Sequence, residues 1–202
     1  TQAIIKAIYD LIKEQSEAVS ECGSDICNFL FQLYQAHQDE EISKYSLDAI
    51  TCIFYDFDLD RSFVIEYVPK FIQSYQEASQ SLKPDFMQCL SGSILACQED
   101  SIVFADQLIP IVIEGAQATS EEEFDNRVCC IEALGDFLAF IPEKCESIYD
   151  ESIKLILTAS TEEHFALRSI GLLSLINIIK YSEGELLVDF APFAAETAIN
   201  SM

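Results

Sequence analysis

Three aspartates stand on alternate positions in the stretch YDFDLDRS, residues 55–62: Asp56, Asp58 and Asp60. The loop of a helix–loop–helix calcium site begins with this spacing. Such a loop also needs a glycine at its sixth position and a bidentate glutamate at its twelfth. This chain has Arg61 and Tyr67 there. We therefore predict a solvated turn between two helices, and no metal site.

Cysteine and histidine are the other residues that could hold a metal or attack a substrate. The chain has eight cysteines and two histidines, with no CxxC pair. Most of the cysteines lie in apolar stretches, which predicts buried free thiols in a reducing compartment and no metal or other cofactor. Cys145 and His164 are a conceivable nucleophile and base, but nothing in the sequence places them together. Since no catalytic motif accompanies them, we expect a protein that is not an enzyme.

The composition indicates which partners the chain favours. Its 202 residues are 50% hydrophobic, with 35 acidic against 11 basic residues and a formal charge of −24. That charge repels nucleic acid and anionic membrane surfaces, and it attracts basic proteins. The longest apolar stretch, residues 169–179, is too short to span a bilayer. We expect no nucleic acid and no membrane among the partners.

The helices that position all these residues follow a period of 41 residues. Apolar or aromatic residues recur six and two positions before, and two and six positions after, five evenly spaced reference points. Spacing of four marks one face of a helix, helix A of a repeating pair. The reference points are Asn28, Pro69, Pro110, Glu151 and Pro192. A second set of apolar columns marks helix B, through Ile8, Ala49, Leu90, Ile131 and Leu172.

An ungapped helix-pair period of this length is typical of an α-solenoid of the HEAT or armadillo kind, with roughly 40 to 47 residues per repeat. The predicted fold class is all-α, a HEAT-repeat α-solenoid of about five helix pairs. Residues 1–202 are expected to form a single solenoid segment. Because neither end shows a polar capping repeat, we expect a fragment of a longer array.

Two surfaces of such an array are candidates for protein binding. Carboxylates of the B helices that lie outside the core columns would bind a basic partner. The alternative is that they only keep the protein soluble. These carboxylates are Asp85, Asp125, Glu132 and Asp136. Apolar residues pointing away from the A-helix columns would take a phenylalanine side chain, unless they pack against adjacent repeats. These are Ile111, Ile148 and Leu155.

The sequence FADQLIPIVIEGAQ, followed by RVCCIEALGDFLAFIPEKCESIYDESIKLIL, resembles the karyopherin-β nuclear transport receptors. It is most similar to the later HEAT repeats of importin-β. The resemblance implies a segment that binds basic cargo or an adaptor on its B helices and nucleoporin Phe-Gly repeats between its A helices. It implies Ran binding through repeats outside this segment, and a location in cytoplasm, nucleus and the nuclear pore.

The rival interpretation is a structural HEAT-repeat scaffold, such as a phosphatase regulatory subunit or an assembly platform. A scaffold of this kind holds a fixed partner through the turns within its repeats. The sequence shows no such turns, which favours the transport receptor. It does not identify the cargo or adaptor, or the direction of transport.

Overall fold

The computed structural model describes residues 2–13, 17–37 and 39–181, and within these ranges every regular element is a helix. The chain divides into two compact units, Thr1–Cys97 and Gln98–Met202. Unit 1 contains α1 (Gln2–Lys13), α2 (Glu17–Ala36), α3 (Glu40–Asp56), α4 (Arg61–Glu77) and α5 (Lys83–Cys97). Unit 2 contains α6 (Ile102–Ala116), α7 (Phe124–Phe140), α8 (Pro142–Cys145), α9 (Tyr149–Ser160) and α10 (Phe165–Tyr181).

The core of unit 1 forms where the predicted columns of A and B helices meet. Helix α3 packs along α1, α2 and α5, and α4 packs along α5. Aromatic rings fill the space between the A helices α2 and α4: Phe31 lies 5.7 Å from Tyr67 and 5.2 Å from Phe71, both edge to face. This geometry is favourable for aromatic pairs. Pro69 lies inside an A helix, α4, as predicted, and it is exposed.

The run of alternate aspartates is a turn between helices, as predicted. Asp56 ends α3, and Asp60 is the residue that caps α4. One oxygen of Asp60 accepts hydrogen bonds from the backbone N–H of Ser62 at 2.9 Å and from its hydroxyl at 2.7 Å. These bonds hold the pKa of Asp60 below its usual value. The Asp60 carboxylate therefore caps the N-terminus of α4 by accepting the backbone N–H of Ser62.

The core of unit 2 is built around α7 and α10. Helix α10 packs along both α7 and α9, and α6 packs along α7. The Ser174 hydroxyl donates to the backbone carbonyl of Ile131 at 3.2 Å, which ties α10 to α7. Helices α7 and α10 approach so closely here that position 135 requires glycine. A Cβ on Gly135 would lie 2.5 Å from the Cβ of Ser174.

The A helix predicted around Glu151, with apolar columns from Cys145 to Leu157, is interrupted. Ile141 leaves helical geometry at φ −136°, ψ 54° because the residue before a proline is driven out of the α region. Pro142 then begins the short α8, and a 3-10 turn over Glu146–Ile148 separates it from α9. The predicted A helix around Pro192 lies outside the described residues.

The column predictions hold in most of the described chain. Six of the eight cysteines are buried, Cys52 is half-buried and Cys22 is exposed. Ile176 was predicted to be in the core, in the helix B column four residues after Leu172, and it is 57% exposed. Among the described helices, none is both long and apolar enough to cross a bilayer.

Candidate functional site

Helices α3 and α5 of unit 1 lie side by side and bring a group of charged side chains together. Three contacts fix their register. The Thr51 hydroxyl lies 3.2 Å from the Cys89 sulfur, the same thiol donates to the Leu47 carbonyl at 3.4 Å, and the Tyr55 hydroxyl donates to Ser91 at 3.5 Å. Close packing of the two helices brings the charged residues at their N-terminal ends together.

Four of these charged residues form what we call the B-helix cluster: Glu40, Lys44, Asp48 and Asp85. Lys44 Nζ lies 3.0 Å from Glu40 Oε1, one helical turn away. The pKa of Lys44 is raised, first by its hydrogen bond to Glu40 and further by the charges of Asp85 and Asp48. One ammonium group therefore stands among three carboxylates.

Asp85 is the member of the B-helix cluster whose ionised form is disfavoured by its surroundings. It lies in the first turn of α5 and is half-buried. Burial, followed by the negative charge of Asp48, raises its pKa to about 6, although Lys44 acts in the opposite direction. The ionised form of Asp85 is therefore short of compensating positive charge, and a cation placed beside it would stabilise that form.

Of these four residues, only Asp85 was among the acidic candidates predicted from the sequence. Glu40, Lys44 and Asp48 are spaced by four, which places them along one face of α3. Lys44 also stands 41 residues before Asp85, in the same column of the repeat. These two signals together would have located the B-helix cluster.

The three acidic candidates of unit 2 have different environments along α7. Asp125 is exposed in the first turn, and Glu132 is half-buried. Asp136 is only 3% exposed, and its Oδ1 accepts a hydrogen bond from Asn177 Nδ2 at 3.3 Å. The expectation that Asp136 lies on an outward, partner-facing side is wrong because α10 packs over that part of α7. Its role is in the packing of unit 2.

The apolar candidates lie on neighbouring A segments of unit 2. Ile111 is in α6, Ile148 ends the 3-10 turn before α9, and Leu155 is in α9; all three are half-buried. Two hydrogen-bonded bridges join these segments, Lys144 to Asp106 at 3.1 Å and Gln117 to Glu151 at 2.7 Å. Ile111 and Ile148 fall between the two bridges along the chain, whereas Leu155 lies beyond them.

Cys145 and His164, the residues considered as nucleophile and base, lie in different environments. Cys145 is buried, and that burial raises its thiol pKa to about 12. His164 is exposed at the start of α10, where its Nδ1 accepts the backbone N–H of Ala166 at 3.3 Å. Its ring lies 4.2 Å from that of Phe124. Within the described ranges, no group of three or more His, Cys, Asp and Glu side chains is placed to hold a metal ion.

Comparison with solved structures finds helical-repeat proteins made by design. An engineered protein matches 99% of this chain with a TM-score of 0.64 and 12% identity, over 47% of its own length. A designed armadillo repeat protein matches 88% of the chain with a TM-score of 0.60 and 14% identity, over 75% of its length. Another, in complex with the peptide (KR)4, matches 97% of the chain with a TM-score of 0.59 and 13% identity, over 92% of its length.

No protein-family model and no curated protein sequence matches the chain. The chain spans about half the length of the engineered protein. The structural matches, together with the helix-pair period, show an all-α fold of the α-solenoid class, as predicted. At these identities the likeness concerns the fold alone.

Proposed function

We propose that this chain is a protein-binding segment of an α-solenoid and that it acts by binding alone. Its partner is a basic protein segment, a cargo or an adaptor, which lies against the B-helix cluster. The observation that carries this proposal is the placement of three carboxylates around one ammonium group in the B-helix cluster, where the half-buried Asp85 is also repelled by the charge of Asp48. A lysine or arginine of the partner would relieve that repulsion and would be attracted by all three carboxylates of the cluster.

The charge of the whole chain supports the same class of partner. A formal charge of −24 accelerates encounter with a basic segment and opposes nucleic acid and anionic lipid. The designed armadillo protein that shares the fold is in complex with (KR)4, a peptide of alternating lysine and arginine. In unit 2, Asp125 and Glu132 of α7 would also contact the basic partner, whereas the buried Asp136 would not.

We further propose that the chain is a segment of an importin-β-like nuclear transport receptor, which is found in cytoplasm, nucleus and nuclear pores. Nucleoporin Phe-Gly repeats would insert a phenylalanine between α6 and α9, beside Ile111 and Ile148. Two bridges hold these A segments together on either side of that position. Leu155 would extend the apolar lining along α9. Ran would bind through repeats outside this segment.

The decisive experiment is fluorescence anisotropy of labelled (KR)4 peptide with the chain, at low and moderate salt. The double substitution Asp48→Asn with Asp85→Asn should weaken binding about tenfold, since each lost charge contact contributes up to about 1 kcal/mol. The matched control is Asp56→Asn with Asp58→Asn. It removes the same charge from exposed positions around the α3–α4 turn of the same unit.

Equal loss of affinity in the two double variants would mean that net charge alone attracts the peptide, and the B-helix cluster would not be the site. Absence of measurable binding in the unsubstituted chain at low salt would overturn the proposed function. The structural HEAT-repeat scaffold would then be the better interpretation, with its fixed partner held elsewhere on the array.

A further inference from the structure

Unit 1 contains a polar cleft of about 470 Å³ where α2 and α4 end and α3 begins. Its size is within the usual range of sites for small ligands, roughly 300 to 1,000 Å³. Its lining is mostly hydroxyl, carboxylate and aromatic. The residues that define its chemistry are Tyr34, His37, Glu40, Ser74, Glu77 and Ser79.

One wall of the cleft is rigid. The Tyr34 ring meets Phe86 edge to face at 5.1 Å and lies 5.8 Å from Phe31, so the aromatic core of unit 1 fixes its orientation. Its hydroxyl is hydrogen-bonded to Ser74. Partial burial, and to a lesser degree the charge of Glu77, raises the pKa of Tyr34. The cleft therefore has a preorganised aromatic and polar surface.

The electrostatics of the cleft favour a cation. Glu77 accepts a hydrogen bond from Gln73 at 3.1 Å, and Glu40 pairs with Lys44 at 3.0 Å. Neither lysine nor arginine occurs among the described residues that line it. Two carboxylates therefore line the cleft, and Lys44 partly neutralises one of them, Glu40.

The repeat itself does not require these polar residues. The position of Glu77 is taken by Ala118 and Ala159 in the following helix pairs, and that of Ser74 by Gly115. A helix pair of this fold therefore packs without a carboxylate or hydroxyl at these positions. The polar lining is a local property of unit 1.

We propose that this cleft binds the guanidinium group of one arginine side chain from the protein partner. The proposal rests on the proposed function, since it takes the partner to be basic. A guanidinium has five donors in a planar fork and stacks on aromatic rings, whereas a lysine ammonium is a compact point charge. The carboxylate of Glu77, the hydroxyl of Ser74 and the Tyr34 ring present separated acceptors and a π-surface, which suit the planar group better.

The test is direct titration of the 202-residue chain with N-acetyl-L-arginine methylamide, followed by two-dimensional amide NMR. The backbone signals of Ser74, Glu77 and Ser79 should shift, and the matching lysine derivative should bind more weakly. The neutral citrulline derivative, which keeps the shape without the charge, should produce no shift. Glu77→Gln should weaken arginine binding about fivefold or more, as expected for one charge-assisted hydrogen bond at a partly exposed site.

The matched control is Glu66→Gln, which removes an exposed carboxylate from the same helix, outside the lining of the cleft. Equal affinity in Glu77→Gln and Glu66→Gln, or equal shifts with citrulline, would overturn the arginine site. These outcomes are distinguishable from failure of the proposed function. That function fails if (KR)4 does not bind, whereas the cleft is tested by a blocked amino acid that needs no contact with Asp48 or Asp85.

Discussion

Asn177 of α10 donates a hydrogen bond from Nδ2 to Oδ1 of Asp136 in α7, at 3.3 Å. The two residues stand 41 positions apart, so they occupy the same column of neighbouring B helices. Asp136 is 3% exposed, and the hydrogen bond therefore joins the two helices inside unit 2. A buried carboxylate of this kind specifies how the helices pair, because removing its partner leaves a costly polar group behind.

Replacing Asp136 with alanine should lower the free energy of unfolding by about 1 to 3 kcal/mol, because the Asn177 amide loses its acceptor. Urea denaturation followed by circular dichroism measures this change. Asp125→Ala, an exposed acid on the same helix, should cost no more than about 0.5 kcal/mol. The affinity for (KR)4 should be the same in Asp136→Ala and in the unsubstituted chain. A specific loss of peptide affinity without loss of stability would restore Asp136 as a contact residue.

The raised pKa of Asp85 predicts a particular pH dependence of stability. Its value is about 6 in the folded chain against an ordinary value of 3.8. Between these pH values the folded state binds more protons at Asp85 than the unfolded state does, so this group stabilises the fold as the pH falls. Its stabilising contribution is complete below pH 3.8 and is lost as the pH rises through about 6.

Comparison with Asp85→Asn isolates this contribution, since the other carboxylates titrate in both proteins. Above pH 6 the variant should be the more stable by about 1 kcal/mol, a figure reduced for solvent screening because Asp85 is half-exposed. The difference should shrink as the pH is lowered toward 4 and should follow the titration of Asp85. A variant that is less stable than the parent above pH 6 would contradict the raised pKa.

Two glycines in helices test how closely the elements approach. A Cβ on Gly171 would lie 2.5 Å from the backbone nitrogen of Ser160 and 2.8 Å from its Cα, and backbone atoms cannot move aside easily. A Cβ on Gly23 would meet the end of the Leu59 side chain at 2.8 Å, and that side chain can rotate. Gly171→Ala should therefore destabilise unit 2 by about 2 kcal/mol or more.

Gly23→Ala is the control for helix propensity, which favours alanine over glycine by about 1 kcal/mol inside a helix. It should leave the urea midpoint unchanged or raise it. If both substitutions raise the midpoint equally, α9 and α10 do not approach as closely as the contact between Ser160 and Gly171 indicates.

The fold class was predictable from the sequence because buried residues recur at equivalent positions of successive helix pairs. Residues such as Leu30, Phe71 and Val112 are buried in the structure at positions 41 apart, as the columns require. The 3-10 turn at Glu146–Ile148, between α8 and α9 of one A helix, was missed, because the apolar spacing of four from Cys145 to Tyr149 continues across it. Periodicity reports which residues face the core and does not report whether the backbone between them is continuous.

The candidate surfaces were harder to predict than the core. Asp136 and Asp85 are both acids outside the core columns, yet one is buried by α10 and the other is half-exposed beside Asp48. Which neighbour covers a polar residue depends on the angle and offset between helices, and a one-dimensional pattern does not contain them. The polar cleft was missed for the same reason, since Tyr34 and Glu77 meet only after α2 and α4 pack.

The Phe-Gly prediction is tested at the α6–α9 side of unit 2. Ile111→Ser and Ile148→Ser should each weaken binding of a Phe-Gly repeat peptide about fivefold, because each removes apolar surface that a phenylalanine ring would cover. The loss should persist at moderate salt, since the contact is apolar. Val103→Ser is the matched control, an exposed apolar residue of α6 outside the bridged stretch between Asp106 and Gln117.

The same peptide with phenylalanine replaced by serine is the control that distinguishes a contact with the aromatic ring from nonspecific binding. Binding that needs the phenylalanine and is lost in Ile111→Ser, with Val103→Ser unchanged, would support a transport receptor. Neither isoleucine substitution should alter the affinity for (KR)4, because the B-helix cluster lies in unit 1. If no phenylalanine-dependent binding is measured while (KR)4 still binds, this segment holds a basic partner without a Phe-Gly site, and a scaffold role is favoured.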